Sequence, residues 1–191
     1  MKLIFATQNK NKFAEAQQIL GNSAELLSPT DLDFFEELPE THFTLEENAE
    51  EKASFIYHRF SQNCFAEDTG LEVEALNGEP GVFSARYAGT DKKAEDNIRL
   101  VLDKMKAIEN RRAKFRTVVC LIIGEKKYFF SGIMEGKILR KSKGKNGFGY
   151  DPVFCPDGFA VSFAEMPSEQ KNRISHRFKA LAAMKEFLSS K

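Results

Sequence analysis

Strand-like apolar segments alternate with amphipathic helical segments over the first half of the chain, and several strand-like segments then follow one another. The segment 2–6 has the apolar content of a buried strand, and the segment after it places Phe13, Ala16 and Leu20 three and four residues apart before Gly21. Such spacing is that of one helix face, and a glycine after the last periodic residue predicts the end of the helix. The chain therefore begins as an α/β protein would.

The remaining segments extend this pattern. Helices are predicted for residues 45–60 and 94–108 and from near Ser175 onward, the last with Phe178, Leu181, Ala182 and Leu188 facing inward. Strands are predicted for residues 63–67, 115–123, 128–134 and 136–139, with an irregular segment over 70–81. Early alternation followed by consecutive strands predicts an α/β fold with a mixed sheet. The length of 191 residues fits one domain, 1–191, which could form two lobes around a central cleft.

Composition excludes several classes of partner. Lys plus Arg and Asp plus Glu both number 28, so no broad positive surface is available for nucleic acid. No run approaches the roughly 18 apolar residues that a membrane helix needs, and the short apolar N-terminus reads as a strand rather than a signal peptide. The three cysteines match neither a disulfide framework nor a zinc site. Reduced, buried thiols in a cytoplasmic protein are expected.

A glycine-rich segment, Gly147-Phe148-Gly149-Tyr150-Asp151-Pro152, has the composition of a ligand-binding loop. Its glycines permit tight turns and close approach of a ligand to the backbone. Phe148 offers a flat apolar face, and Asp151 offers acceptors for a polar ring edge. The segment is suited to stacking on a heterocycle, although a glycine-rich turn whose phenylalanine enters the core is equally compatible with it.

A polar segment joins the first strand to the first helix and is suited to a phosphate group. It consists of Thr7, Gln8, Asn9, Lys10, Asn11 and Lys12. A helix N-terminus presents free N–H groups and the positive end of the helix dipole, and the two lysines add charge. The segment contains no glycine and is not a Walker loop. The alternative is an ordinary polar connection with a capping residue.

Two carboxylates end an apolar strand in Glu67-Asp68-Thr69-Gly70. Neighbouring side chains of a strand point to opposite faces, so Glu67 and Asp68 are not expected to share one metal as a simple pair. A carboxylate here could hold Mg²⁺ or accept a proton from an attacking water. A turn-capping aspartate is the alternative.

Two further groups of residues complete the candidates. Most of the glutamates between Glu36 and Glu51 are expected to be solvated, but one could supply a second metal carboxylate, and Lys52 could face a cleft. Ser175 could cap the last helix, with His176 and Arg177 in its first turn. Cations there oppose the helix dipole, which a bound anion would offset. A structural hydrogen-bonding role for His176 is the alternative.

Taken in order, these segments resemble the inosine triphosphate pyrophosphatase family, the non-canonical purine nucleoside triphosphate pyrophosphatases. The matching segments are 7–12, 40–52, 67–70, Gly81-Val82-Phe83-Ser84-Ala85-Arg86-Tyr87, 147–152, and Ala164-Glu165-Met166 leading to 175–177. The resemblance spans nearly the whole chain. It implies a two-lobed protein with a long central mixed sheet, an active-site cleft between the lobes, and a homodimeric state. It also implies Mg²⁺-dependent hydrolysis of ITP, dITP and XTP to the nucleoside monophosphate and pyrophosphate.

The resemblance also implies roles for individual residues. Asp68 would be the proton acceptor and a metal ligand. Residues 7–12, Lys52 and Lys171 would hold phosphates, and Phe148 would stack on the base. Asp151, His176 and Arg177 would read the edge of the base, with Thr69, Gly149 and Tyr150 as further substrate contacts. Arg177 donating to a 6-keto oxygen would exclude adenine, whose amino group would leave two donors opposed.

Two departures from the family pattern bear on the metal site. Many members have Asp-Asp-Ser-Gly where this chain has Glu67-Asp68-Thr69-Gly70, which keeps the second acid and the hydroxyl. Many bacterial members have paired glutamates where this chain has Pro39-Glu40, so Glu40 is the expected second ligand and Glu37 the alternative. Two other functions stay open, namely a related pyrophosphatase acting on modified pyrimidine nucleotides and a nucleotide-binding sensor without catalysis.

Overall fold

The computed structural model describes residues 1–190, so Lys191, the last residue of the expected domain, lies outside the described residues. The strands are β1 (Lys2–Phe5), β2 (Glu25–Leu27), β3 (Cys64–Val73), β4 (Pro80–Gly81), β5 (Arg112–Ile123), β6 (Lys126–Ile138) and β7 (Phe154–Pro156). The helices are α1 (Lys10–Leu20), α2 (Leu45–Phe60), α3 (Ala94–Lys104), α4 (Ser168–Lys171) and α5 (His176–Ser189). Strands and helices alternate as the sequence predicts.

The strands form one mixed seven-stranded sheet in the order β2-β1-β3-β5-β6-β7, with β4 paired to β3. Strand β1 is parallel to both β2 and β3, with Ile4 opposite Cys64 and Phe5 opposite Phe65. The pairs β3–β4 and β6–β7 are antiparallel. The predicted α/β class with a mixed sheet is therefore confirmed.

The chain divides into two compact units, each assembled from separate stretches of sequence. Unit 1 comprises 1–68, 117–132 and the described residues from 176 onward, and unit 2 comprises 69–116 and 133–175. The unit boundaries fall within β3, β5 and β6, so each of these strands contributes residues to both units.

Unit 1 has an apolar core in which β1 and β3 meet the helices α1 and α5. Phe5 and Phe65 stack with ring centroids 4.3 Å apart, and both side chains are fully buried. From α5, Leu181 is buried as predicted, together with Ala180 and Met184, while Phe178 is only partly buried. Burial of such side chains is the main force that stabilises a unit of this size.

Unit 2 has a separate core built largely from aromatic and branched side chains. Phe115 and Phe154 pack edge to face at 4.7 Å, and Phe163 packs at 5.3 Å from Phe154. Val101 and Met105, at the end of α3, are fully buried in the same cluster. This core supports the glycine-rich segment, since Tyr150 and Val153 belong to it.

Several predicted boundaries are wrong. Strand β3 does not stop at Glu67 but runs to Val73, because Gly70 lets the chain approach Gly81; a Cβ on Gly70 would lie 2.7 Å from the Gly81 carbonyl oxygen. Residues 126–138 form one strand rather than two, since Glu135 simply occupies an exposed position in the alternation. Helix α3 ends at Lys104 and not at Ile108.

The cysteines are buried, as the sequence predicts. Cys64, Cys120 and Cys155 are free thiols and buried. Burial raises the pKa of the Cys64 and Cys120 thiols to about 12. Within residues 1–190, no helix is long and apolar enough to cross a membrane.

Candidate active site

Two carboxylates of unit 1 meet at a single ammonium group. Lys52 Nζ lies 2.6 Å from Glu40 Oε1 and 3.2 Å from Asp68 Oδ1. Lys52 is on the buried face of α2, Asp68 is in β3, and Glu40 lies in the segment that precedes α2. The structure thus brings together three residues that sequence reasoning proposed for one site.

Lys52 is 4% exposed, and its positive charge is stabilised by its neighbours. Burial alone would lower its pKa, but the charges of Asp68 and Glu40 outweigh that effect and raise the pKa above its ordinary value. A buried ammonium flanked by two carboxylates stays protonated at neutral pH. Lys52 can therefore present a fixed positive charge beside Asp68.

This pair of carboxylates is chemically suited to Mg²⁺, the metal that the family resemblance implies. Glu40 and Asp68 already direct one oxygen each at the same cation, and carboxylate oxygens are the ligands that Mg²⁺ prefers. Among residues 1–190 no cluster of three or more His, Cys, Asp or Glu side chains could hold a metal. Mg²⁺ commonly takes only one or two protein carboxylates and completes its shell with water and phosphate oxygens. Glu37 is exposed, and Glu40 is the glutamate that shares Lys52 with Asp68.

Glu67, the neighbour of Asp68 in β3, has different partners. Its carboxylate binds the Arg177 guanidinium through Nε and Nη2, and Lys12 Nζ lies 3.3 Å from Oε1. Arg177 Nη1 also donates to Glu15 of α1. Neighbouring residues of β3 therefore serve two separate clusters, as expected for a regular strand.

The charges within this second cluster are strongly coupled. Burial would raise the pKa of Glu67, but Arg177, Lys12 and His176 lower it to about 2. The pKa of Arg177 is raised, because Glu67 and Glu15 outweigh the effect of burial. Arg177 is 1% exposed and His176 is 3% exposed at the start of α5. The orientation of the Arg177 guanidinium is thus set by carboxylates from two other elements.

Part of the polar segment 7–12 has a structural role. Asn9 caps α1, because its Oδ1 accepts hydrogen bonds from the backbone N–H groups of Asn11 and Lys12. Thr7 Oγ1 accepts from the Asn9 N–H, and Gln8 Nε2 donates to the Glu36 carbonyl oxygen. The side-chain bonds of Thr7, Gln8 and Asn9 therefore shape the loop. Lys10 and Asn11 are exposed at the N-terminus of α1, and Lys12 is partly buried beside Glu67.

In unit 2 the glycine-rich segment is organised by the Asp151 carboxylate, which is 2% exposed. Asp151 Oδ2 accepts from the Phe148 N–H at 2.8 Å and from Lys171 Nζ at 2.6 Å. Gly147 has a φ of +71°, and a Cβ at that position would lie 2.1 Å from Asp151 Oδ2. A glycine is therefore required here both for the turn and for the close approach of the carboxylate.

Lys171 lies beside the aromatic ring of Phe148 rather than in an open anion site. Its Nζ is 4.8 Å from the Phe148 ring centroid, within the range of a cation–π contact. The sequence reasoning grouped Lys171 with the phosphate ligands. The structure places its ammonium with Asp151 and Phe148, the residues expected to bind the base.

Tyr150 and Thr69, both predicted to contact the substrate, lie in different environments. The Tyr150 hydroxyl donates to the Ser84 carbonyl oxygen at 3.0 Å, and the side chain is 4% exposed in the core of unit 2. Burial raises the pKa of this phenol. The side chain of Tyr150 is thus a packing residue, whereas Thr69 is partly buried directly after Asp68 in β3.

Two residues of these clusters were not found from the sequence. Asn48 contacts Asp68, with Nδ2 at 3.3 Å from Oδ2, and Glu15 contacts Arg177. A signal for Asn48 was present: it lies on the apolar face of α2 with Leu45, Ala49 and Ala53, four residues before Lys52. A polar residue on a buried face must find a partner, so such positions mark internal polar networks.

Known proteins similar to this chain match nearly its whole length. The Ham1 family model matches residues 3–187. The chain is 49% identical over 190 residues to a Flavobacterium johnsoniae protein named dITP/XTP pyrophosphatase, covering 100% of this chain and 99% of that protein. A Porphyromonas gingivalis protein of the same name is 48% identical over 188 residues, covering 98% of this chain and 97% of the relative.

Solved structures are similar over the full length as well. The Ham1 protein of Coxiella burnetii has a TM-score of 0.91 at 35% identity, with 100% of each chain covered. The Staphylococcus aureus Ham1 protein has a TM-score of 0.90 at 35% identity, covering 100% of this chain and 99% of that one. On the family match and on these relatives, the chain belongs to the Ham1 family.

Proposed function

We propose that this protein hydrolyses non-canonical purine nucleoside triphosphates, namely dITP, XTP and ITP, to the nucleoside monophosphate and pyrophosphate. The observation that carries the proposal is the convergence of Glu40 and Asp68 on Lys52 Nζ, which combines a general base, metal ligands and a fixed positive charge. Full-length relatives named dITP/XTP pyrophosphatase support the substrate class. The activity would remove deaminated purines from the nucleotide pool, with residues 1–191 acting as one pyrophosphatase domain.

Asp68 is the proposed general base. Its carboxylate accepts a proton from a water molecule as the water oxygen forms a bond to the α-phosphorus. The bond between that phosphorus and the bridging oxygen breaks, and pyrophosphate leaves. Lys52, held protonated beside Asp68, stabilises negative charge on the phosphate oxygens.

Glu40 and Asp68 are the proposed ligands of Mg²⁺. When bound, the metal would supply positive charge to phosphate oxygens of the substrate. Lys12 and the exposed side chains at the start of α1 would hold further phosphate oxygens, with Lys10 adding charge. The loop shaped by Thr7, Gln8 and Asn9 keeps that helix end in place.

Phe148 is the proposed stacking platform for the purine. Its backbone is held by Asp151, and Lys171 lies at its ring, so we propose that Lys171, which is expected to hold phosphates, also contacts the base. His176 and Arg177 would donate to the 6-keto oxygen of hypoxanthine or xanthine, with Gly149 allowing close approach. Adenine carries an amino donor at that position, and opposing two buried donors is costly.

We further propose that the protein acts in the cytoplasm as a homodimer. Free, buried thiols are typical of a reducing compartment. Phe35 and Phe43 of unit 1 are 71% and 79% exposed, which is unusual for large apolar side chains outside contact surfaces. Light scattering coupled to size-exclusion chromatography would give the mass of the dimer, and a monomer at micromolar concentration would contradict this proposal.

A substrate panel tests the proposed function. Pyrophosphate and monophosphate release would be measured with Mg²⁺ for ITP, dITP, XTP, ATP, GTP, dUTP and dTTP. We expect kcat/KM for the first three to exceed that for ATP by at least about 100-fold, because a site that must leave a buried polar group unpaired can discriminate by about 10,000-fold or more. Preference for dUTP or dTTP would favour the pyrimidine enzyme, and binding of ITP without product would favour the sensor.

A further inference from the structure

Asn48 makes three hydrogen bonds in the interior of unit 1. Its Oδ1 accepts from the His42 N–H at 2.9 Å, and its Nδ2 donates to the His42 carbonyl oxygen at 3.2 Å and to Asp68 Oδ2 at 3.3 Å. The residue is 1% exposed. A buried amide with this set of partners belongs to a built network.

The orientation of the Asn48 amide is determined by these partners. If the amide were flipped, its oxygen would face two acceptors, the His42 carbonyl oxygen and the Asp68 carboxylate, and its NH₂ would face the His42 N–H. Only the observed orientation pairs each donor with an acceptor. The two bonds to the His42 backbone therefore direct the remaining N–H of Asn48 at Asp68.

The Asp68 carboxylate is consequently held at both oxygens. Lys52 Nζ contacts Oδ1 and Asn48 Nδ2 contacts Oδ2, both from the buried face of α2. A carboxylate oxygen has two lone-pair sites, so each oxygen keeps capacity for a further contact. His42 lies two residues after Glu40, so Asn48 also ties the segment that carries Glu40 to the strand that carries Asp68.

We propose that Asn48 is a positioning residue for Asp68, which holds the carboxylate in the orientation needed for catalysis and fixes it relative to Glu40. The catalytic part of this role rests on the proposed function, in which Asp68 is the general base. The geometric part, that Asn48 sets the Asp68 conformation, stands on the hydrogen bonds alone. A displacement of about 1 Å at a catalytic group can cost about 100-fold in rate.

Two variants remove the contact in different ways. Asn48→Leu has a similar volume and makes no hydrogen bond. Asn48→Asp keeps the acceptor for the His42 N–H but places an oxygen where Nδ2 faces Asp68, so two carboxylates oppose each other. We expect kcat for ITP to fall by at least about 30-fold in both, with KM within about threefold of wild type, because substrate contacts are unchanged.

Glu51→Gln is the matched control. Glu51 holds the same segment, since its carboxylate accepts from Thr41 N at 3.0 Å and Thr41 Oγ1 at 2.8 Å, and neither bond involves Asp68. We expect its kcat within about threefold of wild type. An equal loss in Glu51→Gln and Asn48→Asp would overturn the proposal, because anchoring of the segment would then explain both.

A readout independent of activity separates this proposal from the proposed function. We would compare crystal structures of the wild type and Asn48→Leu. In the variant we expect the Asp68 carboxylate to be turned away from its wild-type position. If Asn48→Leu fails to fold, Asn48→Asp serves for the same comparison. An unchanged Asp68 rotamer, or a kcat within twofold of wild type, would overturn the positioning role. Absence of pyrophosphate release by the wild type would instead count against the proposed function alone.

Discussion

Arg177 and Glu67 form a buried ion pair although 110 residues separate them in sequence. Arg177 Nη2 donates to Oε1 at 2.7 Å and Nε donates to Oε2 at 2.8 Å, and the two side chains are 1% and 0% exposed. The pair joins the first turn of α5 to β3 within unit 1, and Glu15 adds a second carboxylate to the same guanidinium. Removing one member of such a pair leaves a buried charge without full compensation.

Glu67→Gln should therefore destabilise the protein strongly. We expect the free energy of unfolding to fall by about 3 to 5 kcal/mol, the usual cost of breaking a buried ion pair. For a chain of this length that corresponds to a Tm lower by about 6 to 20 °C. Urea denaturation at pH 7 measures the difference. Glu50→Gln is the control, because Glu50 pairs with Lys127 at an exposed position and should cost about 1 kcal/mol or less.

The stabilisation by Glu67 should also depend on pH in a defined direction. Its pKa is lowered from 4.5 to about 2 on folding, so the unfolded chain takes up the proton more readily than the folded protein. The contribution is complete above the unfolded pKa and is lost as pH falls toward the folded value. The stability difference between wild type and Glu67→Gln should accordingly shrink between pH 5 and pH 3. A difference that stays constant over that interval would show that ionisation of Glu67 is not its source.

Asp68→Asn should nearly abolish turnover while the protein still folds. The amide cannot accept a proton from water, and general acid–base catalysis contributes about 100- to 10,000-fold. Lys52 Nζ lies 2.6 Å from Glu40 Oε1, so the charge of Lys52 stays paired in the variant. We expect kcat for ITP to fall by at least about 100-fold with a far-UV circular dichroism spectrum like that of the wild type. A wild-type kcat would show that Asp68 is not the base.

Glu40→Gln should raise the Mg²⁺ concentration required for half-maximal activity. Loss of supporting residues around a metal commonly costs about 10- to 100-fold in metal affinity, and loss of a direct ligand should cost at least as much. Titration of activity with Mg²⁺ at saturating ITP measures the change. Glu37→Gln is the matched control, since Glu37 is the exposed alternative three residues away. A larger effect in Glu37→Gln would reassign the second ligand.

Local sequence signals predicted the helices of this fold well. Helix α2 has the predicted bounds, because its apolar spacing is regular and Thr44 caps its first turn by accepting from the Glu47 N–H. The predicted end of β3 at Glu67 is too early, because Asp68 followed by Thr69-Gly70 indicates a turn. Glu67 and Asp68 are in fact both buried within the strand. Each is buried there only because partners from other elements neutralise it. Sequence spacing carries no information about such distant partners.

The same limit applies to the candidate site. Asp68, Glu40 and Lys52 were proposed together from motifs, and their proximity follows from the fold. Glu15 and Asn48 were missed, because their importance comes from the residues that they contact in the fold. The contact of Lys171 with the Phe148 ring was also missed, because it depends on how two loops of unit 2 pack.

Phe148→Ala should weaken binding of the base and leave the phosphate chemistry intact. Stacking of a base on an aromatic side chain contributes about 1 to 3 kcal/mol, so we expect KM for ITP to rise by about 5- to 150-fold. The Phe148 backbone N–H still donates to Asp151 in the variant, so the loop should keep its shape. The half-saturating Mg²⁺ concentration, which reports on Glu40 and Asp68, should change less than twofold. Phe129→Ala is the control, since that ring is 47% exposed on β6 and should leave KM unchanged. If KM stays constant in Phe148→Ala while kcat falls, the ring acts on the chemical step, and its assignment as the stacking platform is wrong.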